Sequence, residues 1–196
     1  MTETWTDEHP YYFQTTYTVE SEAAYLANYL WKIKKTETAS IISTSDGYGQ
    51  TLANQFRNTF TGLGGEVVIN EVVSGSGDLE LDEIVRKIIS SENNPGTIFL
   101  ATDDQTVAEL IIKMTQKGVS YPIAGGSSLS TPAFQEKIGE RSEETAFPGY
   151  YTDGILTTRA IIFDSANRYA GQFKQDYYDK YAIEPGDRVV NGYDAA

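Results

Sequence analysis

The run Thr97-Ile98-Phe99-Leu100-Ala101 constrains the fold more than any other feature of the sequence. A strand with one face in water alternates apolar and polar side chains. This one does not, so both of its faces must be covered. It is too short for a helix. Asn93-Asn94-Pro95-Gly96 precedes it as a stop, and after it Val107, Leu110, Ile111 and Met114 recur at helical spacing. A doubly covered strand between helical segments is the centre of a parallel sheet sandwiched by two helix layers.

The same rhythm runs along the chain. A first helix is expected over 22–35, then a strand at Ala39-Ser40-Ile41-Ile42 and a turn over 43–47. The helix that follows carries Leu52, Phe56 and Phe60 on one face and ends at Gly62, Gly64 and Gly65. Residues 66–73 read as the second strand, and Gly75-Ser76-Gly77-Asp78 as a turn with Asp78 as N-cap. Leu81, Ile84, Val85 and Ile88 form the buried stripe of the next helix. Gly118 closes the Phe99 unit. Tyr121-Pro122-Ile123-Ala124 gives a fourth strand entering Gly125-Gly126-Ser127-Ser128, Thr145-Ala146-Phe147 a short fifth, and 167–181 a late amphipathic helix. The expected architecture is α/β, a doubly wound parallel sheet in a three-layer α/β/α sandwich, with ligands bound beyond the carboxyl ends of the strands. Four segments are expected there: Ser43-Thr44-Ser45-Asp46-Gly47-Tyr48, Ala101-Thr102-Asp103-Asp104, Gly125-Gly126-Ser127-Ser128 and Gly149-Tyr150-Tyr151-Thr152-Asp153.

Charge narrows the partners. Fifteen Lys plus Arg against 28 Asp plus Glu leave a net charge of −13, and no basic cluster offers a footprint for nucleic acid or an anionic lipid surface. The 196 residues, 40% of them hydrophobic, suffice for one globular domain. Cysteine is absent, which excludes disulfides, thiolate metal sites and Cys nucleophiles. No apolar run approaches the roughly 18 residues of a membrane span. The first eight residues are acidic where a signal peptide is basic and then apolar.

Catalytic motifs are sparse. His9, the single histidine, lies ahead of the first element, so Ser/His/Asp catalysis and His-based metal sites lack their parts. Gly75-Ser76-Gly77 lacks the third glycine of a dinucleotide fingerprint, and no Gly-Lys-Ser/Thr occurs. Asp103 and Asp104 read either as an acid pair for Mg²⁺ or as an N-cap with a solvated first-turn acid. Neighbouring residues point different ways, which favours the cap. Asp46 and Tyr48, just past the first strand, are the best local candidates for binding a small polar solute, the acid accepting from an ammonium and the phenol offering a ring and a hydroxyl. The competing reading makes Asp46-Gly47 a turn and Tyr48 a steric cap on the helix.

Ser45-Asp46-Gly47-Tyr48-Gly49-Gln50, the following Gly64-Gly65-Glu66-Val67-Val68, and Asp78 opening the next helix resemble the periplasmic binding protein type I family, which includes branched-chain amino acid receptors of ABC transporters. His9-Pro10-Tyr11-Tyr12-Phe13-Gln14-Thr15 is similar to that family's crossing from first lobe to second, with Gln14 where Arg is commoner. Phe173, Tyr177, Tyr181, Pro185 and Gly192-Tyr193-Asp194-Ala195-Ala196 resemble the return crossing.

The resemblance implies one lobe of a two-lobed protein that traps a solute in the cleft: 1–20 an inter-lobe crossover, 21–186 the lobe core, 187–196 the return crossover. The chain looks like an excised second lobe with an added Met1, from a parent that is periplasmic or extracellular. The implied partners are a small-molecule solute, the missing first lobe, and a membrane permease or signalling domain. Tyr48 is carried over as a cleft residue, with Ser45, Asp46, Thr102, Asp103, Ser127 and Tyr150 around it. Amino-acid-binding members place a carboxylate after the fourth strand, where this chain has Gly126-Ser127-Ser128; Asp46, Asp103 and Asp153 are the acids in neighbouring loops. No catalytic residue, metal or cofactor is expected. The alternatives are an Mg²⁺-dependent phosphotransfer or hydrolytic enzyme using the acid pair, and a receiver or interaction domain.

Overall fold

The computed structural model describes residues 16–74, 77–159 and 168–194. The chain groups into two compact units, Val19–Thr158 and a second made of Met1–Thr18 with Arg159–Ala196. The first unit alternates helix and strand: α1 (Val19–Lys32), β1 (Thr38–Thr44), α2 (Gly47–Gly62), β2 (Glu66–Val73), α3 (Asp78–Ile89), β3 (Thr97–Ala101), α4 (Asp104–Gln116) and β4 (Ile123–Gly125). A 3₁₀ turn (Ser127–Ser130) and the short helices α5 (Pro132–Gly139) and α6 (Ser142–Ala146) follow.

The strands are parallel and ordered β2-β1-β3-β4. Phe99 lies opposite Ile41 on one side and Ala124 on the other, so β3 is interior, as its unbroken apolar run requires. The strand periodicity of two separates the core into two faces. Ile41 and Phe99 pack with Leu26 and Leu30 of α1 and Leu52, Phe56 and Phe60 of α2. Ile42, Ile98 and Leu100 pack with Leu81, Ile84 and Val85 of α3 and Leu110 and Ile111 of α4. These are the three expected layers, and Ile41, Val68, Phe99 and Ile123 lie on the four strands assigned to them. The rings of Phe56 and Phe99 stack at 3.7 Å, and Phe56 and Phe60 at 5.4 Å.

Three expectations need correction. The first helix covers Val19–Lys32 rather than 22–35: Lys35 has φ +57°, and the Thr36 N–H returns to the Leu30 carbonyl, which turns the chain toward β1. Asp78 is the first helical residue of α3, and Gly77 takes the N-cap position. The Asp78 carboxylate instead meets Lys113 Nζ at 3.2 Å. Thr145-Ala146-Phe147 is not a strand. Thr145 belongs to α6, its N–H and its hydroxyl both donating to the Arg141 carbonyl, and Phe147 is 70% exposed. The fifth position belongs to Leu156, whose N–H and carbonyl bond Ile123 and Gly125 in a single parallel bridge.

In the second unit, α7 (Arg168–Tyr181) and α8 (Asp187–Asp194) are helical. Phe173 meets Tyr193 at 4.7 Å and Tyr177 meets Tyr181 at 4.6 Å. The expected return crossing at 187–196 therefore holds a helix. The lead-in crossing over 9–15, His9, the Gly75-Ser76 turn, Asn167 and residues 195–196 lie outside the described residues. Among the described residues no helix is long and apolar enough to cross a membrane.

Phe99→Ala removes a fully buried ring from the centre of the sheet and its stack. It is expected to lower the unfolding free energy by about 3–5 kcal/mol in urea titrations. A loss under about 1 kcal/mol would contradict the central placement of β3.

Candidate functional site

Because the four strands are parallel, Thr44, Val73, Ala101 and Gly125 end at one edge of the sheet, and α2 and α4 begin there. A helix start carries unpaired N–H groups and the positive end of the helix dipole, so acids gather at it. Asp46 Oδ1 accepts from the Gly49 N–H at 2.7 Å and caps α2. Asp103 caps α4, Oδ1 accepting from the N–H groups of Gln105 (3.0 Å) and Thr106 (2.9 Å) and Oδ2 from the Thr106 hydroxyl (2.7 Å). Slight burial pushes the Asp46 carboxyl up, but the Gly49 N–H and the Thr44 hydroxyl outweigh it and hold the group below the usual Asp value. The α2 start is drawn tight against the strands: a Cβ on Gly49 would lie 2.6 Å from the Ala101 carbonyl and 2.7 Å from that of Thr44.

A third carboxylate at this edge comes from an unexpected element. Glu22, in the first turn of α1, is 3% exposed. Its Oε1 accepts from the Ser127 N–H at 2.6 Å and from the Thr158 hydroxyl, tying α1 to the loop after β4 and to the segment beyond Leu156. Among the described residues no lysine or arginine forms an ion pair with it. Burial pushes its carboxyl above the usual Glu value, only partly offset by Thr158 and Ser127.

Tyr48 stands beside it. The ring is half-buried against the α1/α2 core, and the hydroxyl is fully buried. That hydroxyl lies against Gly126 and the Ser127-Ser128 turn without a well-formed hydrogen bond, and the Ser128 hydroxyl, also buried, is likewise unpaired. Burial and the neighbouring Glu22 push the phenol up to about 12. Gly126 is what lets these groups meet: a Cβ there would collide with the Tyr48 hydroxyl, lie 2.8 Å from Leu52 and sit 3.3 Å from Glu22 Oε1.

Of the residues expected to form the site, Ser45 and Asp46 are exposed at the α2 start, Thr102 is buried directly after β3, Asp103 is exposed at its cap, and Ser127 is half-buried on Glu22. Tyr150 is not brought to this edge. Its segment folds back on α6, with the Gly149 and Tyr151 N–H groups on the Glu144 carboxylate, and Tyr151 packs near Gln116 at the opposite end of α4 from Asp103. Asp153 shares that turn, its N–H on the Gly149 carbonyl. Glu22 was missed, although the sequence carried a signal for it: Glu22, Leu26 and Leu30 are spaced by four, which puts an acid on the buried stripe of its helix. An open depression of 630 Å³ between Lys34, Lys35, Asn94 and Tyr121 lies at the amino ends of the strands, away from these groups.

The family model described as "Periplasmic binding protein" matches residues 1–196, and the chain belongs to that family, with the fold of its type I members. Among solved structures, a putative branched-chain amino acid ABC transporter protein from Rhodospirillum rubrum superposes with a TM-score of 0.82 at 24% identity, covering 99% of this chain and 52% of that one. A leucine binding protein from Thermotoga maritima gives 0.76 at 24% identity, covering 92% and 48%. A solute binding protein of an ABC transporter from R. palustris, in complex with benzoate, gives 0.72 at 21% identity, covering 93% and 47%. The chain thus spans about half the length of these proteins. No curated protein matches it.

Two outcomes follow from the site geometry. Since the folded chain holds the Glu22 proton above the ordinary value of 4.5, the stabilisation linked to that group is complete below pH 4.5 and is lost as pH rises through the folded value. Glu22→Gln cannot ionise, so its urea midpoint should gain on the wild type from pH 4.5 upward and then level off; a constant difference would contradict a buried carboxylate. Tyr48→Phe removes a hydroxyl that makes no well-formed bond, so the unfolding free energy should stay within about 0.5 kcal/mol of wild type. A loss above about 1.5 kcal/mol would show that the hydroxyl is paired.

Proposed function

We propose that the chain is one lobe of a two-lobed solute-binding protein, periplasmic or extracellular, that traps an amino acid or similar small polar solute. It delivers that solute to an ABC-type permease or a signalling domain and has no chemistry of its own. The observation that carries this reading is the carboxyl edge of the sheet, where the buried Glu22 carboxylate lies beside the buried Tyr48 and Ser128 hydroxyls, neither of which has a well-formed hydrogen bond, in a member of the periplasmic binding protein family. Tyr48 and Ser127 take the direct contacts, with Ser45 and Thr102 beside them, while Asp46 and Asp103 shape the edge by fixing the starts of α2 and α4. Leucine, isoleucine and benzoate, named with structurally similar proteins, set the size of the solute sought. An acid-pair enzyme has no comparable support, since both Asp103 oxygens already serve the α4 cap.

Half a cleft cannot enclose a solute, and closure of two lobes is what excludes water from such sites. In calorimetry against amino acids, amides and small carboxylates, this chain alone should bind nothing tighter than about 1 mM, about −4 kcal/mol. Joined to its first lobe it should reach micromolar affinity for at least one of them. Micromolar binding by the isolated chain would overturn the half-cleft reading, and no binding by the joined protein would overturn solute binding of this class.

A further inference from the structure

The two helix layers that cover the sheet carry different charge. The α3 sequence holds Asp78, Glu80, Asp82, Glu83, Arg86 and Lys87, and Asp78 and Asp82 pair with Lys113 of α4. On the other layer α2 runs for 16 residues with one charged side chain, Arg57, and turns Gln50, Asn54, Asn58 and Thr61 to solvent. Beside it α1 turns Ser21, Tyr25 and Lys32 outward, followed by Ile33 just past its end. Tyr25 is 63% exposed and stacks on Tyr29 at 6.3 Å, and Ile33 is 64% exposed. No exposed residue of α1 or α2 is acidic, in a chain whose net charge is −13. Outward helix faces ordinarily carry a protein's charges, whereas depletion of charge with enrichment of Tyr marks the core of a protein–protein interface.

We propose that the outward face of α1 and α2 is where two copies of this chain associate about a twofold axis. It uses no residue assigned to the solute and stands independently of the solute-binding reading. A twofold axis sets a surface patch against itself, so the patch has to be self-complementary. The amides of Gln50, Asn54 and Asn58 each carry donors and an acceptor, and the Tyr25 hydroxyl both gives and accepts, so each can meet its own copy. Two copies at net −13 repel one another, and an approach through α3 would add close contacts between acids. An approach through α1 and α2 adds none, and its cations, Lys32 and Arg57, are attracted by the partner's net negative charge. The platform is pre-organised: Trp31 of α1 meets Phe60 of α2 edge-on at 6.1 Å, and Phe60 stacks on Phe56, so docking need not order the helices first. At 1.5 Å per residue the two helices are about 21 and 24 Å long, and spaced about 10 Å apart they present roughly 500 Å² per partner. That is below the about 800 Å² of a standard stable complex, so the dimer is reversible, with a Kd expected at about 10–100 µM.

Sedimentation equilibrium of the 196-residue chain from about 10 to about 300 µM, at about 0.05 M and about 0.5 M sodium chloride, tests the dimer. A monomer–dimer equilibrium is expected that tightens at high salt, because screening removes the repulsion between the two net charges and the contact itself holds no ion pair. Tyr25→Glu and Asn54→Glu each bring a carboxylate against its own copy and should weaken association about tenfold or more. Leu79→Glu, at an 86%-exposed residue of α3, adds the same charge to the other layer and should leave the Kd nearly unchanged at high salt. Both substituted face positions are exposed, so melting curves should stay close to the wild type; should one variant not fold, the other decides. A chain that stays monomeric at about 300 µM in both salts would overturn the proposal. So would a dimer that weakens with salt, one that survives both face substitutions, or one lost equally in Leu79→Glu.

Discussion

Phe99 stacks on Phe56 on one side of the sheet while Ile98 and Leu100 are buried on the other, and the consequences of that double burial reach the carboxyl edge of the sheet. A strand covered on both faces has no solvated side to tolerate a hairpin partner's alternating pattern, and its neighbours β1 and β4 are parallel to it and largely buried as well. Parallel neighbours need crossovers, and each crossover returns the chain to the starting edge. All four strands therefore end on one side, and the loops after β1, β3 and β4 meet there without any pairing of their own.

That edge is where the charges of the chain are sorted. The starts of α1, α2 and α4 each carry acids in keeping with their dipoles, but the acids do different work. Asp46 and Asp103 stay exposed and each give Oδ1 to backbone N–H groups, Asp103 also taking the Thr106 hydroxyl on Oδ2, which fixes the starts of α2 and α4. Glu22 is buried, shared between the β4 loop and Thr158, and adjacent to a phenol with no proper partner. Asp46 and Asp103 thus cap helices at this edge, while Glu22 ties α1 to the loop after β4.

Most of the fold could be read from the sequence because its signals are local. The run at Thr97–Ala101, the four-residue spacing of Leu52, Phe56 and Phe60, and the glycines after them place strand, helix and stop without knowledge of any distant contact. The weak fifth strand failed because Thr145-Ala146-Phe147 is short enough to follow its neighbours: Thr145 and Ala146 join the helix that opens with Glu143 and Glu144 in its first turn, and Phe147 caps its end. Leu156 takes that edge position through two backbone bonds alone, a pairing that leaves no periodicity to find. The site divided along the same line. Tyr48, Ser127, Asp46 and Asp103 follow their strands closely, so their place at the carboxyl edge was legible. Tyr150 was misplaced because it lies beyond two short helices whose path depends on Glu144 holding the Gly149 and Tyr151 backbone. Glu22 was passed over because its partners lie 105 and 136 residues away, and only its place on an apolar stripe marks it.

The carboxyl edge encloses a buried carboxylate, Glu22, that forms no ion pair among the described residues. Carbon-detected titration of the Glu22 side-chain carboxyl in the folded chain tests it most directly, since the signal reports the proton on that one group. A midpoint clearly above 4.5 is expected, because burial outweighs the Thr158 and Ser127 donors. A midpoint at or below 4.5 would mean that the carboxylate is solvated or already compensated, and would contradict its burial.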